Sequence, residues 1–287
     1  MPEVYAAQGR KALPERGIRS EKRPEFGIAM RPAGRIWAIG AVHGDVRRLE
    51  RLHDALADRV RLGDRIVYLG NMIGHGVAIK ETVDELLRFR QAYLARPPFV
   101  HPDDILYLRG QQEEIWQKLQ QLQFAINPLE VLRWAFAHGA EATLRAYGGD
   151  AETALACARG GAVALTRWAG SLRDAMRARP GHVSLMNGLH RSAFTPDRSL
   201  LFVSTGVNPR NAVDRQADAF WWDSDGFASI DAPFDGFRTV VRGFDPSRGG
   251  FKNTPWTVNL DGGCGFGGSL IAACFAPNGE LRSRLDA

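Results

Sequence analysis

Residues 38–45 read AIGAVHGD, a short apolar run that ends in glycine and opens onto a glycine-flanked histidine. Two later stretches repeat the form: YLGNMIGHG at 68–76 and YLRGQQEE at 107–114. In each, a run of strand length stops at a glycine and polar side chains follow. A parallel sheet delivers functional groups in this way, because ligands collect at the carboxyl ends of its strands.

Helical patterns lie between these runs. Val46, Leu49, Leu52, Leu56 and Val60 recur at helical spacing, which predicts a helix over 45–60 after a strand over 35–40. A second strand is expected at 65–69 with a helix over 79–95, and a third at 105–108 with a helix opening near Gln112. Such alternation indicates right-handed βαβ units on a largely parallel sheet. Residues 115–190 read as helical, with Trp116, Leu119, Leu122 and Phe124, then Val131, Leu132, Trp134 and Phe136, and glycine breaks at 148–149 and 160–161. They are expected to form an inserted helical cap. After His190 strands are expected at 200–204, 238–242, 257–260 and 270–275, with Gly- and Pro-rich turns between them. The fold class that follows is α/β. Its core is a two-sheet β-sandwich flanked by helices in four layers, and the C-terminal half supplies a second, mixed sheet.

With 287 residues, 45% hydrophobic and 24% charged, the chain can bury a substantial core as one large domain or two small ones. A net charge of +5 permits an acidic partner without specifying one. No aromatic-interleaved basic stripe is present, so nucleic acid is not the expected partner. Cys157, Cys264 and Cys274 have no paired spacing and read as free thiols of a reducing compartment. No apolar run reaches the roughly 18 residues of a membrane span, and the N-terminus lacks a signal-peptide core. A cytoplasmic protein with no membrane partner is expected. Residues 1–32 mix Arg, Lys, Glu, Pro and Gly without periodicity and are expected to be a flexible basic arm ahead of a domain at 33–287. The stretch GGCGFGG at 262–268 contains a G-x-G-x-x-G match, but SLIAACF after it reads as a strand. A dinucleotide fingerprint needs a helix there, so a tight hairpin near the site is expected instead.

In this order the landmarks resemble the calcineurin-like metallophosphoesterase superfamily, in particular its bacterial serine/threonine protein phosphatase branch, over roughly residues 35–285. The family's G-D-x-H-G is similar to residues 40–44, its G-D-x-x-D-R-G to 70–76, and its G-N-H-E to 110–113. Its L-F-V-H-A-G is similar to 201–206, its V-x-G-H-x-P to 241–246, and its closing N-x-D-x-G to 259–263. The resemblance implies a site for two metal ions, held by carboxylate, amide and imidazole ligands. Almost none of those ligands is present. Ala41 stands for the first aspartate, Asn71 for the bridging aspartate and Gln111 for the asparagine. Ser204 and Phe244 stand for the two later histidines, and only His43 is unchanged. The Asp–His pair that would protonate the leaving group is Gly74 and Gln112, and the phosphate-gripping arginine is His75.

A metal pair carries four positive charges, and amide carbonyls cannot replace a bridging anion. No metal and no cofactor are therefore expected, and Asp45 and Glu113 are assigned to capping a helix and complementing its dipole. The resulting expectation is a pseudophosphatase, a binding or regulatory module for a protein or for a phosphorylated or anionic ligand. His43, Asn71, His75, Gln112 and Arg242 are the candidates for holding an anion. Against this stands an active phosphoesterase with a rebuilt Mn, Fe or Zn pair, for which His138, His182 and His190 are candidate ligands. Binding of an acidic partner or nucleic acid through the basic arm is a third reading.

Overall fold

The computed structural model describes residues 26–287 and gathers eleven strands of that span into two sheets. Strand β1 (Ile28–Ala29) comes before the expected alternation of β2 (Ile36–Ile39), α1 (Val46–Ala57), β3 (Arg65–Tyr68), α2 (Ile79–Leu94) and β4 (Ile105–Tyr107). The cap follows as α3 (Gln111–Gln120), α4 (Pro128–Ala137), α5 (Ala140–Ala146), α6 (Ala151–Arg159), α7 (Ala162–Arg177) and α8 (His182–Asn187). The chain then forms β5 (Ala193–Phe194), β6 (Leu200–Val203), α9 (Ala219–Trp222), α10 (Ser224–Ala228) and β7 (Thr239–Arg242). It ends with β8 (Lys252–Asn253), β9 (Thr257–Asn259), β10 (Ile271–Phe275) and β11 (Leu281–Asp286).

The first sheet has the order β11-β10-β2-β3-β4, with β2, β3 and β4 parallel. The second has the order β1-β5-β6-β7-β9-β8, with β6, β7 and β9 parallel. Two expectations are corrected here. The strand at 270–275 does not belong to the second sheet, because β10 pairs antiparallel with β2 and carries β11 on its outer side. The basic arm does not reach residue 32 either: β1 pairs with β5, and Ile28 and Met30 are buried. The rest of that expectation, residues 1–25, lies outside the described residues.

Period-two alternation decides the layers. Trp37, Ile39, Ile66, Tyr68, Ile105 and Tyr107 face the helices, in one cluster with Leu49, Leu52 and Leu56 of α1. Their neighbours Ile36, Ala38, Val67, Leu69 and Leu106 face the second sheet and meet Phe202, Val241 and Val258 there. On the far side Leu201, Val203 and Val240 pack under Phe220, Phe227 and Phe237. These are the expected four layers. Phe202 and Phe275 lie in the central layer with centroids 6.1 Å apart, and burial of each stabilises the sandwich by roughly 1.5–3 kcal/mol.

Local chemistry starts the helices. Asp45 caps α1 by accepting the Arg48 amide, and Asn127 and Asp150 do the same for α4 and α6. Asp45 therefore has the capping role expected of it. Among the described residues no helix is long and apolar enough to cross a membrane, and the three cysteines are unpaired.

Candidate functional site

The ends of β2, β3, β6 and β7 meet at one edge of the sandwich. The Ala41 amide donates to the Gly243 carbonyl at 3.0 Å, which joins the two sheets. A Cβ on Gly40 would lie 2.4 Å from the Leu260 carbonyl oxygen, so this contact admits only glycine. Val42 and His43 both donate to the Asn71 carbonyl, at 3.0 and 2.8 Å, and Gly243 and Phe244 both donate to Ser204, at 3.0 and 2.9 Å. The glycine frames are thus packing devices: they let strand ends from two sheets touch.

Glu113 ties the second and third strand ends together. Its buried carboxylate accepts the amides of Gly110, Asn71, Met72 and Ile73, three of them at 2.7–2.8 Å. Burial pushes its pKa up and these four donors oppose the shift. The helix-dipole role expected of Glu113 is therefore only part of its work, since the same side chain clamps the whole second loop.

His43, Asn71 and His75 keep left-handed backbones, with φ of 51°, 52° and 57°. Such conformations are uncommon outside glycine and aim side chains at the strand edge. The His43 ring is fully buried among aromatic groups. Ring centroids of His75, Phe244 and Phe266 lie 5.1, 5.1 and 5.3 Å from it, and His75 and Phe266 are 4.6 Å apart. Burial, helped by the neighbouring His75, holds the His43 pKa down to about 3. His75 is also lowered, by burial first and then by Arg248 and His138. Both imidazoles are neutral near pH 7. Asn71 Nδ2, Ser204 Oγ and Thr205 Oγ1 have no hydrogen-bond partner among the described residues. Neutral buried groups of this kind are what ordered water satisfies.

This donor set does not fit a metal pair. It offers two neutral imidazoles and neutral amide and hydroxyl groups but no carboxylate, and the rings of Phe244 and Phe266 stand against His43. Among the described residues no group of three or more His, Cys, Asp or Glu side chains could hold a metal ion. Gly74 and Gln112 are interlocked. Gly74 has φ of 87°, and a Cβ there would lie 2.2 Å from Gln112 Oε1. Gln112 occupies the space that Gly74 leaves and donates to the His138 carbonyl at 2.7 Å, with its amide nitrogen 3.2 Å from His75 Nε2. Gln111 is half-buried on the first turn of α3.

The structure brings together His43, Asn71, Gly74, His75 and Gln112. It takes Arg242 away from the anion-holding group. The Arg242 guanidinium pairs with Asp245 at 2.6 Å, donates to Asn259 and Ser224, and lies 4.2 Å over the Phe227 ring. The proposed replacement histidines do not converge either. His182 is buried between Tyr147 and Asp84, and His190 lies on the chain beside Tyr107 and Arg109. Of the three, His138 reaches the site: its backbone carbonyl accepts from Gln112, and its ring is near enough to help lower the His75 pKa. Sequence reading missed Phe266. Its signal was a single aromatic residue inside GGCGFGG, a tight turn closed by a parallel bridge between Gly263 and Ser269 and leading into β10, so the stretch is a turn as expected but not a hairpin, and no helix follows the glycines.

No protein-family model matches the sequence, and no curated protein matches it. Among solved structures, a candidate diadenosine tetraphosphatase superposes with a TM-score of 0.53 at 18% identity, covering 91% of this chain and 98% of that one. A serine/threonine phosphatase of Saccharomyces cerevisiae gives a TM-score of 0.44 at 10% identity over 84% of this chain and 73% of its own. A metallophosphoesterase of Sphaerobacter thermophilus gives 0.41 at 16% identity over 88% of each chain. With its two facing sheets and the first of these superpositions, the chain shares the two-sheet α/β fold of that candidate diadenosine tetraphosphatase.

Proposed function

We propose that this chain is a metallophosphoesterase-fold protein that does not hydrolyse phosphate esters and instead serves as a binding or regulatory module. The observation that carries the reading is the ring cluster: His43 is enclosed by His75, Phe244 and Phe266 where the fold's chemistry would need charged ligands. Interlocked Gly74 and Gln112 remove the acid as well. Without a metal-bound hydroxide and a proton donor, the main sources of rate enhancement are gone. The partner is a protein, or a phosphorylated or anionic ligand, that docks at the strand edge. For an anion the one full charge beside the rings is Arg248, whose guanidinium lies 4.1 Å over Phe266, with His75 and Gln112 as neutral donors.

The test is hydrolysis of aryl phosphates and phosphopeptides with and without added manganese, paired with calorimetric metal titration. No hydrolysis and no stoichiometric metal uptake are expected. A metal-dependent rate that disappears in His43→Ala would sink the proposal, because it would show that the ring cluster opens to form a working centre.

A further inference from the structure

A second concave region lies away from the ring cluster. It is a cleft of about 450 Å³ walled by α3, α7 and α8, in the size range of small-molecule sites. Arg109, Arg173, Arg177, Gln117 and Gln123 supply its polar lining. Trp116, Met176 and Met186 supply an apolar wall whose methionines can adapt to an irregular ligand.

Charge selects the sign of the occupant. Three guanidinium groups line the cleft against one carboxylate, Glu113, whose oxygens are already taken by four backbone amides. Arg109 is partly neutralised by Glu114 at 3.1 Å, and Arg177 by Asp174 at 2.8 Å, an exposed pair that is worth little. Arg173 differs from both. Its one hydrogen bond among the described residues is to the Gln120 backbone carbonyl, so its charge has no carboxylate partner. Two buried polar atoms of the lining are also unpartnered among the described residues: the indole nitrogen of Trp116, a residue only 2% exposed, and Gln123 Oε1. A guanidinium without a carboxylate partner, an unsatisfied indole N–H and an apolar wall are complementary to one class of molecule.

We infer that this cap cleft is a binding site for a small amphipathic anion, an acidic group joined to a flat aromatic body, with Arg173 holding the charge and Trp116 and the methionines holding the rings. The inference does not depend on whether the strand-edge site is catalytic.

The test is fluorescence titration of the full chain with 1-anilinonaphthalene-8-sulfonate and with N-phenyl-1-naphthylamine, which has the same rings without the sulfonate. One saturable site is expected, at least ten-fold tighter for the sulfonate. Arg173→Gln should abolish most of that preference at an unchanged Tm, whereas Arg284→Gln, which breaks a surface pair with Asp286 and a contact over the Phe251 ring away from the cleft, should leave it intact. Arg173 also ties α7 to the end of α3, so a second pair of variants covers a fall in Tm. Arg173→Lys should keep most of the preference, and Arg177→Gln should cut it about three-fold. Absence of a saturable site, equal affinity for both dyes, or a preference that survives both Arg173→Gln and Arg177→Gln would overturn the inference.

Discussion

Helix α3 borders two concave regions that differ in nearly every physical respect. Its first turn carries Gln112 and Glu113 to the strand edge, where neutral rings and interlocked side chains fill the space. Its later turns carry Trp116, Gln117 and Gln120 to the cap cleft, which is open and lined with arginine. The strand edge is where the fold places chemistry, yet it has little charge to work with. The cleft belongs to the insertion and has charge to spare. Location in a fold therefore predicts where a site can be, and the side chains decide whether one remains.

The sharpest way to break the comparison is at Glu113, which lines both regions. Glu113→Ala would leave four buried amides without an acceptor, and a loss of about 3 kcal/mol or more is expected in denaturant unfolding. A loss below about 1 kcal/mol would mean that the loops hold their positions without the clamp.

A second effect separates the regions by pH. The folded pKa of His43 is about 3 and its unfolded value is that of ordinary histidine, so the unfolded chain binds a proton that the folded chain refuses. Stability should be flat above about pH 6.5 and fall below it by about 1.4 kcal/mol per pH unit for this group alone. His53 and His75 are lowered too and should steepen the fall. His43→Asn, which tolerates the left-handed backbone, should reduce the slope by that one-histidine amount. Arg173→Gln in the cleft should leave the slope unchanged, and an equal slope in His43→Asn would show that the ring is not held neutral by burial.

Smaller still is the coupling between Gly74 and Gln112. Gly74→Ala should cost about 2 kcal/mol through backbone strain and overlap with Gln112. Combined with Gln112→Ala, about 1 kcal/mol should return in a double-mutant cycle. Purely additive effects would mean that the two positions have not adjusted to each other. The smallest effect belongs to the rim of the cleft: Phe124 is 80% exposed, and Phe124→Ser should change stability by less than about 0.5 kcal/mol.

The βαβ alternation, the cap and the four layers were legible because period-two and helical spacing record which faces are buried. Strands at 36–39, 65–68 and 105–107 and the helices after them lie within a few residues of the expected spans. That His43, Asn71, His75 and Gln112 would meet was legible because each follows a glycine at the end of a strand run. The partners of β1 and β10 were not. Both are short apolar runs, and sheet membership depends on which distant edge is free, a property absent from local pattern.

The sequence by itself determined that Ala41 and Asn71, neither of them a carboxylate, follow the glycines at the ends of the first two strand runs. Only tertiary structure decided what surrounds them. Phe266 reaches His43 across more than two hundred residues, Arg242 turns to Asp245, and Glu113 gathers amides from a loop forty residues earlier in the chain. These are packing and desolvation outcomes. They depend on which groups the folded chain brings within a few ångströms, and residue spacing along a strand or helix does not encode that.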